Sequence, residues 1–282
     1  MKTIGFIDYY LSEWHANHYP KWIAEASERI GEEFVVKYAW AEEYVSPIKN
    51  VNTDEWCAKY GVEKCASIEE VCEKADYICI LAPSNPEKHL EYAEKALRYG
   101  KNTYIDKTFA PDLATAEKIF EAAEKYGTKF FSSSALRYAT ELAELEGTKS
   151  VITTGGGSNL PEYIIHQAEM IVKLFGASEI LRVKAEPQGE NQCTIRAEFE
   201  GGKECTMVYS SAYPFTACGE IADGVSKYAP AQSEYFAALI EDVLRFYLTG
   251  ETSFDTRETL CVIKLREMAI KAKEQAGKWI TE

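Results

Sequence analysis

Two residues of this chain have types and surroundings suited to moving a proton. Lys107 lies in NTYIDKTFAPDLATAEK, Asn102 to Lys118, and His166 lies in GGGSNLPEYIIHQAEMIVKLFG, Gly155 to Gly176. A lysine serves as a base near neutral pH only when desolvation depresses its pKa, whereas an imidazole titrates there without help. Over Pro161 to Phe175 the residues Glu162, His166, Glu169 and Lys173 recur at helical spacing as a polar stripe, opposite Ile164, Ile165, Ala168, Ile171, Val172 and Phe175. Glu162, one turn ahead of His166, is spaced to orient and tune it. The same spacing also describes an ordinary solvated helix face. Gly155, Gly156 and Gly157 ahead of the helix would let a ligand approach the backbone.

Lys107 owes its interest to the elements around it. Asn102 to Ile105 reads as a short buried strand, and Asp112 caps a helix with apolar residues Leu113, Ala116, Ile119, Phe120 and Ala123 before Gly127 stops it. Lys107 thus falls just beyond a strand end, where open α/β sheets bind ligands. A solvated loop lysine is the plainer alternative. Strand and helix alternate upstream. Strands are expected at Lys2–Asp8, Phe34–Trp40, Asp76–Leu81 and Thr128–Ser132, with a helix from about Tyr19 to Ile30, Pro20 in its first turn, and a capping box at Ser67-Ile-Glu-Glu70. This βαβ order predicts a Rossmann-like, doubly wound parallel sheet. After about residue 140 three β-like runs, Glu179–Ala185, Cys193–Phe199 and Glu204–Ser211, and two closing helices predict a smaller α+β domain with a mainly antiparallel sheet. The expected division is 1–140 and 141–282.

The first strand should lead into a glycine-rich turn if a dinucleotide is to bind. Here the turn reads DYYLSEWHANHYP, with no glycine between Gly5 and Gly31. Side chains such as Tyr9 and Tyr10 would obstruct a pyrophosphate approaching the backbone. The second strand ends in Ala41-Glu42-Glu43, where an acid could meet a ribose hydroxyl or the glutamates could simply be solvated.

A formal net charge of -14 over 282 residues opposes binding to nucleic acid or anionic membranes. With neither a signal peptide nor an apolar run of about 18 residues, the chain is expected to be soluble and cytoplasmic. Its 8 cysteines are scattered without a CxxC pair and are expected to be reduced, buried small residues.

Taken together, these segments resemble the Gfo/Idh/MocA-type oxidoreductases. Asp106-Lys107-Thr108 falls where members have Glu-Lys-Pro, and Ala82-Pro83-Ser84-Asn85 with His89 falls on their Thr-Pro-Asn loop and following histidine. Leu136-Arg137-Tyr138 resembles the stretch leading into the second domain. Glu162, His166 and Glu169 take the acid, His and acid positions of Asp-x-Gly-x-His-x-x-Asp, and Tyr235 to Trp279 resembles the tail. The resemblance runs from about Tyr60 onward. It implies hydride transfer between NAD or NADP and a sugar-like or cyclitol alcohol, with Lys107 and His166 handling the alcohol proton and Glu162 tuning them. It also implies cofactor contacts from Asp8, Tyr9, Tyr10, Ala82, Pro83, Asn85, His89, Asp106 and Arg137, and a homo-oligomer formed through the C-terminal sheet. The departures are Asp-Lys-Thr, Ile164 in place of the motif glycine, a short second domain and the missing fingerprint.

Two other classes of function stay open. Glu13, His15 and His18 could supply metal ligands for a hydrolase or lyase. Alternatively, a sensor could bind a sugar-like ligand without nicotinamide chemistry, stacking it on Tyr9, Tyr10, Trp14 and Tyr19.

Overall fold

The computed structural model describes residues 1–221 and 224–281 and resolves into two compact units, Met1–Ser133 with Phe236–Ser253, and Ser134–Tyr235 with Phe254–Glu282. The first unit opens with strand β1 (Lys2–Asp8), helix α1 (Trp14–Ile30), β2 (Phe34–Ala41), α2 (Thr53–Tyr60), β3 (Glu63–Lys64) and α3 (Ile68–Lys74). It continues through β4 (Tyr77–Ile80), α4 (His89–Ala96), β5 (Thr103–Ile105), α5 (Leu113–Tyr126) and β6 (Phe130–Phe131). The strands pair in parallel in the order β3-β2-β1-β4-β5-β6. The order reverses between β1 and β4, so ligand chemistry belongs at the carboxyl ends of β1, β4 and β5. The last five residues of β1 are all buried, as a strand covered on both faces requires. Gly5 is what lets α3 pack there. A Cβ on it would lie 2.4 Å from Val71 Cγ1.

Helix α1 begins at Trp14, earlier than the expected Tyr19, because Glu13 acts as the N-cap and the buried residues Ala16, Tyr19, Ile23 and Ala26 hold one continuous face. Pro20 is therefore inside the helix, and His15 and His18 lie on its first turns rather than in a loop. At Ser67 the hydroxyl caps Glu70 N–H as expected, but the Glu70 carboxylate reaches back to Ala66 N–H at 2.6 Å.

The second unit holds β7 (Ser150–Gly155), α6 (Leu160–Phe175), β8 (Ile180–Pro187), β9 (Gln192–Phe199), β10 (Lys203–Ser210), β11 (Thr216–Glu220) and β12 (Ser226–Pro230). The chain returns to the first unit with most of α7 (Tyr235–Thr249), then closes the second with α8 (Arg257–Glu274) and β13 (Trp279–Ile280). The second sheet runs β12-β11-β7-β10-β9-β8-β13 and is antiparallel except where β7 pairs with β10. Tyr247 on α7 is buried and donates to Ile78 O at 2.7 Å, which fixes the helix against β4. The cysteines are free thiols, buried except for the half-buried Cys218.

Helix α6 is set on its sheet by Gln167. Its Oε1 accepts from Thr153 Oγ1 at 2.7 Å and its Nε2 donates to Gly155 O at 3.0 Å. The three glycines make room for the chain itself rather than for a ligand. A Cβ at Gly155 would lie 2.2 Å from Phe215, at Gly156 1.8 Å from Ser210 O, and at Gly157 2.1 Å from Tyr163. Gly156→Ala should therefore destabilise the protein by about 3 kcal/mol in denaturant unfolding, the scale of an overpacked site that must shift backbone. An unchanged midpoint would contradict this packing.

Candidate active site

In the first unit the expected residues gather around Asp106, which follows β5 and is fully buried. Its Oδ2 contacts His15 Nδ1, while Oδ1 accepts from Lys107 N–H at 2.8 Å and lies 3.3 Å from the hydroxyls of Tyr19 and Tyr104. Burial opposes ionisation of Asp106, but His15 and Lys107 outweigh it and hold its pKa below the usual value. His15 stacks on Tyr19 at 5.2 Å, and Tyr19 OH is also 3.1 Å from His15 Nδ1. Lys107 is half-buried beside this cluster.

Asp8, at the end of β1, is 1% exposed. Its Oδ1 accepts from Tyr9 N–H at 2.7 Å and Ala82 N–H at 2.9 Å, and its Oδ2 has no hydrogen-bond partner among the described residues. Burial first, and then the nearby Glu13 carboxylate, raise its pKa well above the usual aspartate range. Glu13 is buried as well, and burial raises its pKa against the opposing effect of His15. Its Oε2 accepts from His15 N–H at 2.7 Å and its Oε1 from Ala16 N–H.

Other expected residues hold the surrounding loops. Ala82 adopts a left-handed φ of 64° and Pro83 beside it is buried. The Asn85 amide donates to Glu87 Oε1 at 3.0 Å. His89 is completely enclosed between Leu81 O and Phe109 O, and burial lowers its pKa against those two carbonyls. Tyr9 and Tyr10 meet edge to face at 5.8 Å, with Lys88 Nζ 5.3 Å over the Tyr9 ring. Glu42 pairs with Lys88 and accepts from Tyr92 OH at 2.7 Å.

The metal expectation for Glu13, His15 and His18 is corrected by this geometry. Glu13 caps a helix, His15 faces Asp106, and His18 Nδ1 donates to Trp14 O at 2.6 Å. Among the described residues no group of three or more His, Cys, Asp or Glu side chains could hold a metal ion.

In the second unit the polar stripe of α6 is buried at its centre. His166 is 8% exposed with Nδ1 2.6 Å from Ser134 Oγ, and Glu169 is 4% exposed. Glu169 accepts from Arg137 Nε and, at 3.2 Å, from Ser134 N–H. Arg137 also donates Nη1 to Glu258 at 2.6 Å and lies 4.0 Å over the Phe254 ring. Arg137 thus braces α6 and α8. Glu162 receives Asn159 Nδ2 at 3.1 Å at the helix start. Ser134, Glu258 and the His15–Asp106 pair are functional candidates that sequence reasoning missed, since their partners are distant in sequence.

Residues 32–134 match the model of an oxidoreductase family with an NAD-binding Rossmann fold, GFO_IDH_MocA. Over this segment the chain is similar to the Gfo/Idh/MocA oxidoreductases. An uncharacterized oxidoreductase, YhhX, of Escherichia coli K12 is 34% identical over 62 residues, a stretch spanning 22% of this chain and only 18% of that relative. Among solved structures, scyllo-inositol dehydrogenase from Lactobacillus casei with bound NAD(H) and scyllo-inositol aligns at TM-score 0.77 and 14% identity, covering 100% of this chain and 99% of that one. The aldose-aldose oxidoreductase of Caulobacter crescentus complexed with glycerol aligns at TM-score 0.73 and 15% identity, covering 100% and 99%. UDP-N-acetylglucosamine 3-dehydrogenase from Acidithiobacillus ferrooxidans aligns at 0.77 and 13%, covering 96% and 97%. At these identities the likeness is one of fold.

The family's nicotinamide cofactor would place its pyrophosphate at the N-terminus of α1. In this chain the Glu13 carboxylate occupies those N–H groups, and Asp8 stands buried behind the turn. The residues do not fit that group.

A raised acid pKa stabilises the fold at low pH and loses that contribution as pH rises through the folded value. Asp8→Asn keeps an acceptor for Tyr9 and Ala82 while removing the buried charge. The variant should gain thermal stability relative to wild type as pH rises above the unfolded aspartate value of about 3.9 towards the raised folded value, by about 1.4 kcal/mol for each pH unit in that window. A difference that stays constant from pH 3 upward would show that the Asp8 pKa is not raised.

Proposed function

We propose that this chain binds a sugar-like or cyclitol alcohol, with Lys107 and His166 as its proton-handling residues and Glu162 tuning the imidazole. The observation that carries this reading is the buried polar network on α6. Burying an imidazole, a carboxylate and a guanidinium costs desolvation that an apolar helix face would avoid, and such groups are kept where chemistry or recognition needs them. The ligands in the names of the solved neighbours, scyllo-inositol and glycerol among them, support a polyol as the ligand class.

The fuller reading from the family is dehydrogenation of that alcohol by NAD or NADP. The α1 turn does not fit a pyrophosphate, and this favours a second reading, recognition of the ligand without nicotinamide turnover. Self-association through the second sheet is part of the proposal. Ile152 and Tyr228, 46% and 65% exposed on neighbouring parts of that sheet, support it.

Calorimetric titration with a panel of cyclitols, sugar alcohols and aldoses should find at least one saturable ligand. Lys107→Ala and His166→Ala should each weaken it about tenfold, roughly 1.4 kcal/mol; the unfolding midpoint should be little changed in Lys107→Ala and lowered in His166→Ala, which loses a buried ring and its contact with Ser134. Wild-type affinity in either variant removes that residue from the site. A panel without a ligand removes the proposal.

A further inference from the structure

The turn between β1 and α1 carries its own anion. A helix N-terminus offers N–H groups without intrahelical partners, and a dinucleotide fold uses them, beside glycine backbone, to hold a pyrophosphate. In this chain the His15 and Ala16 N–H groups are taken by the two oxygens of the Glu13 side chain, and the Asn17 N–H by the Glu13 carbonyl at 3.1 Å. Glu13 is 5% exposed, so its carboxylate is part of the interior. The remainder of the turn gives no alternative cradle. Tyr9, Tyr10 and Leu11 fill it with side chains, and Ser12 adopts a left-handed φ of 66° at the bend.

The charge at the strand ends argues the same way from a separate observation. Asp8, Glu13 and Asp106 are three buried carboxyl groups close enough to perturb one another. Asp106 is paired with His15, while Asp8 Oδ2 has no hydrogen-bond partner among the described residues. A second anion brought to this cluster would meet acids in place of the N–H donors that normally receive it.

We infer that Glu13 permanently takes the place of the pyrophosphate, and that this Rossmann-like unit does not take up a nicotinamide dinucleotide at its β1–α1 turn. The family scaffold is retained with an internal carboxylate as the resident of its anion site. The inference concerns the cofactor only and stands apart from the polyol proposal.

The test uses the full purified chain. Protein denatured after purification should release no NAD or NADP detectable by mass spectrometry. Titration with NADH and with NADPH, followed by nicotinamide fluorescence and heat, should show no saturation up to millimolar concentration. Glu13→Gly, which frees the N–H groups, should bind inorganic pyrophosphate at least tenfold more tightly than wild type. Glu13→Gln keeps a capping oxygen without the charge, and should show a gain in the same direction if the glycine variant does not fold. Co-purified dinucleotide, or saturable sub-millimolar binding by wild type, would overturn the inference, as would variants that gain nothing. Polyol binding without dinucleotide binding supports both proposals. Dinucleotide binding alongside polyol binding overturns only this one, and absence of both removes only the polyol proposal.

Discussion

The contact between Asp106 and His15 joins the end of β5 to the first turn of α1, and much of the first unit's active face follows from it. Holding His15 there requires α1 to begin at Trp14, which puts Glu13 in the capping position and points its carboxylate at the helix's own N–H groups. Tyr19, one turn on, then reaches the same aspartate, and Tyr104 reaches it from β5. A small residue in place of Asp106 would leave His15 buried without its carboxylate partner, at a cost of about 1–3 kcal/mol, while Tyr104 OH would keep Ser133 O and Tyr19 OH would keep His15 Nδ1. The strand-end crevice is thus a carboxylate and imidazole cluster, held inside the protein by hydrogen bonds.

The second unit rests on a comparable device. Arg137 lies between Glu169 of α6 and Glu258 of α8, so an ion pair buried at both partners fixes the helix that carries His166. Breaking one partner of such a pair strands a charge in the interior, whereas the intact pair mainly specifies position. Gln167 adds the register of α6 on its sheet, and the three glycines bring β7 and the loop after it into direct contact with Phe215, Ser210 and Tyr163. Precision at His166 comes from packing that leaves α6 few alternatives.

Periodicity and capping made most of the scaffold legible in the sequence. The α5 helix starts after Asp112 and stops at Gly127 as those residues dictate, and the parallel order of the first sheet follows from alternating elements. The start of α1 was hidden because glutamate is an uncommon N-cap and Pro20 suggests a first turn. The spacing of Ala16, Tyr19, Ile23 and Ala26 was the signal available for it. The short strands β11, β12 and β13 and the return of α7 to the first unit depend on pairings between distant segments. For the same reason the His15–Asp106 and His166–Ser134 pairs cannot be read from local spacing. The glycines before α6 were visible, but glycine marks a close approach without naming what approaches.

The most direct measurement of this account is a carbon-13 NMR titration of the aspartate and glutamate carboxyls, with Asp8, Glu13 and Asp106 assigned by substitution. The account predicts that Asp106 titrates below the ordinary aspartate value of about 3.9, while Asp8 titrates well above it and Glu13 is also raised. Ordinary values for all three would mean that these groups face water, and the self-contained cluster at the strand ends would be wrong.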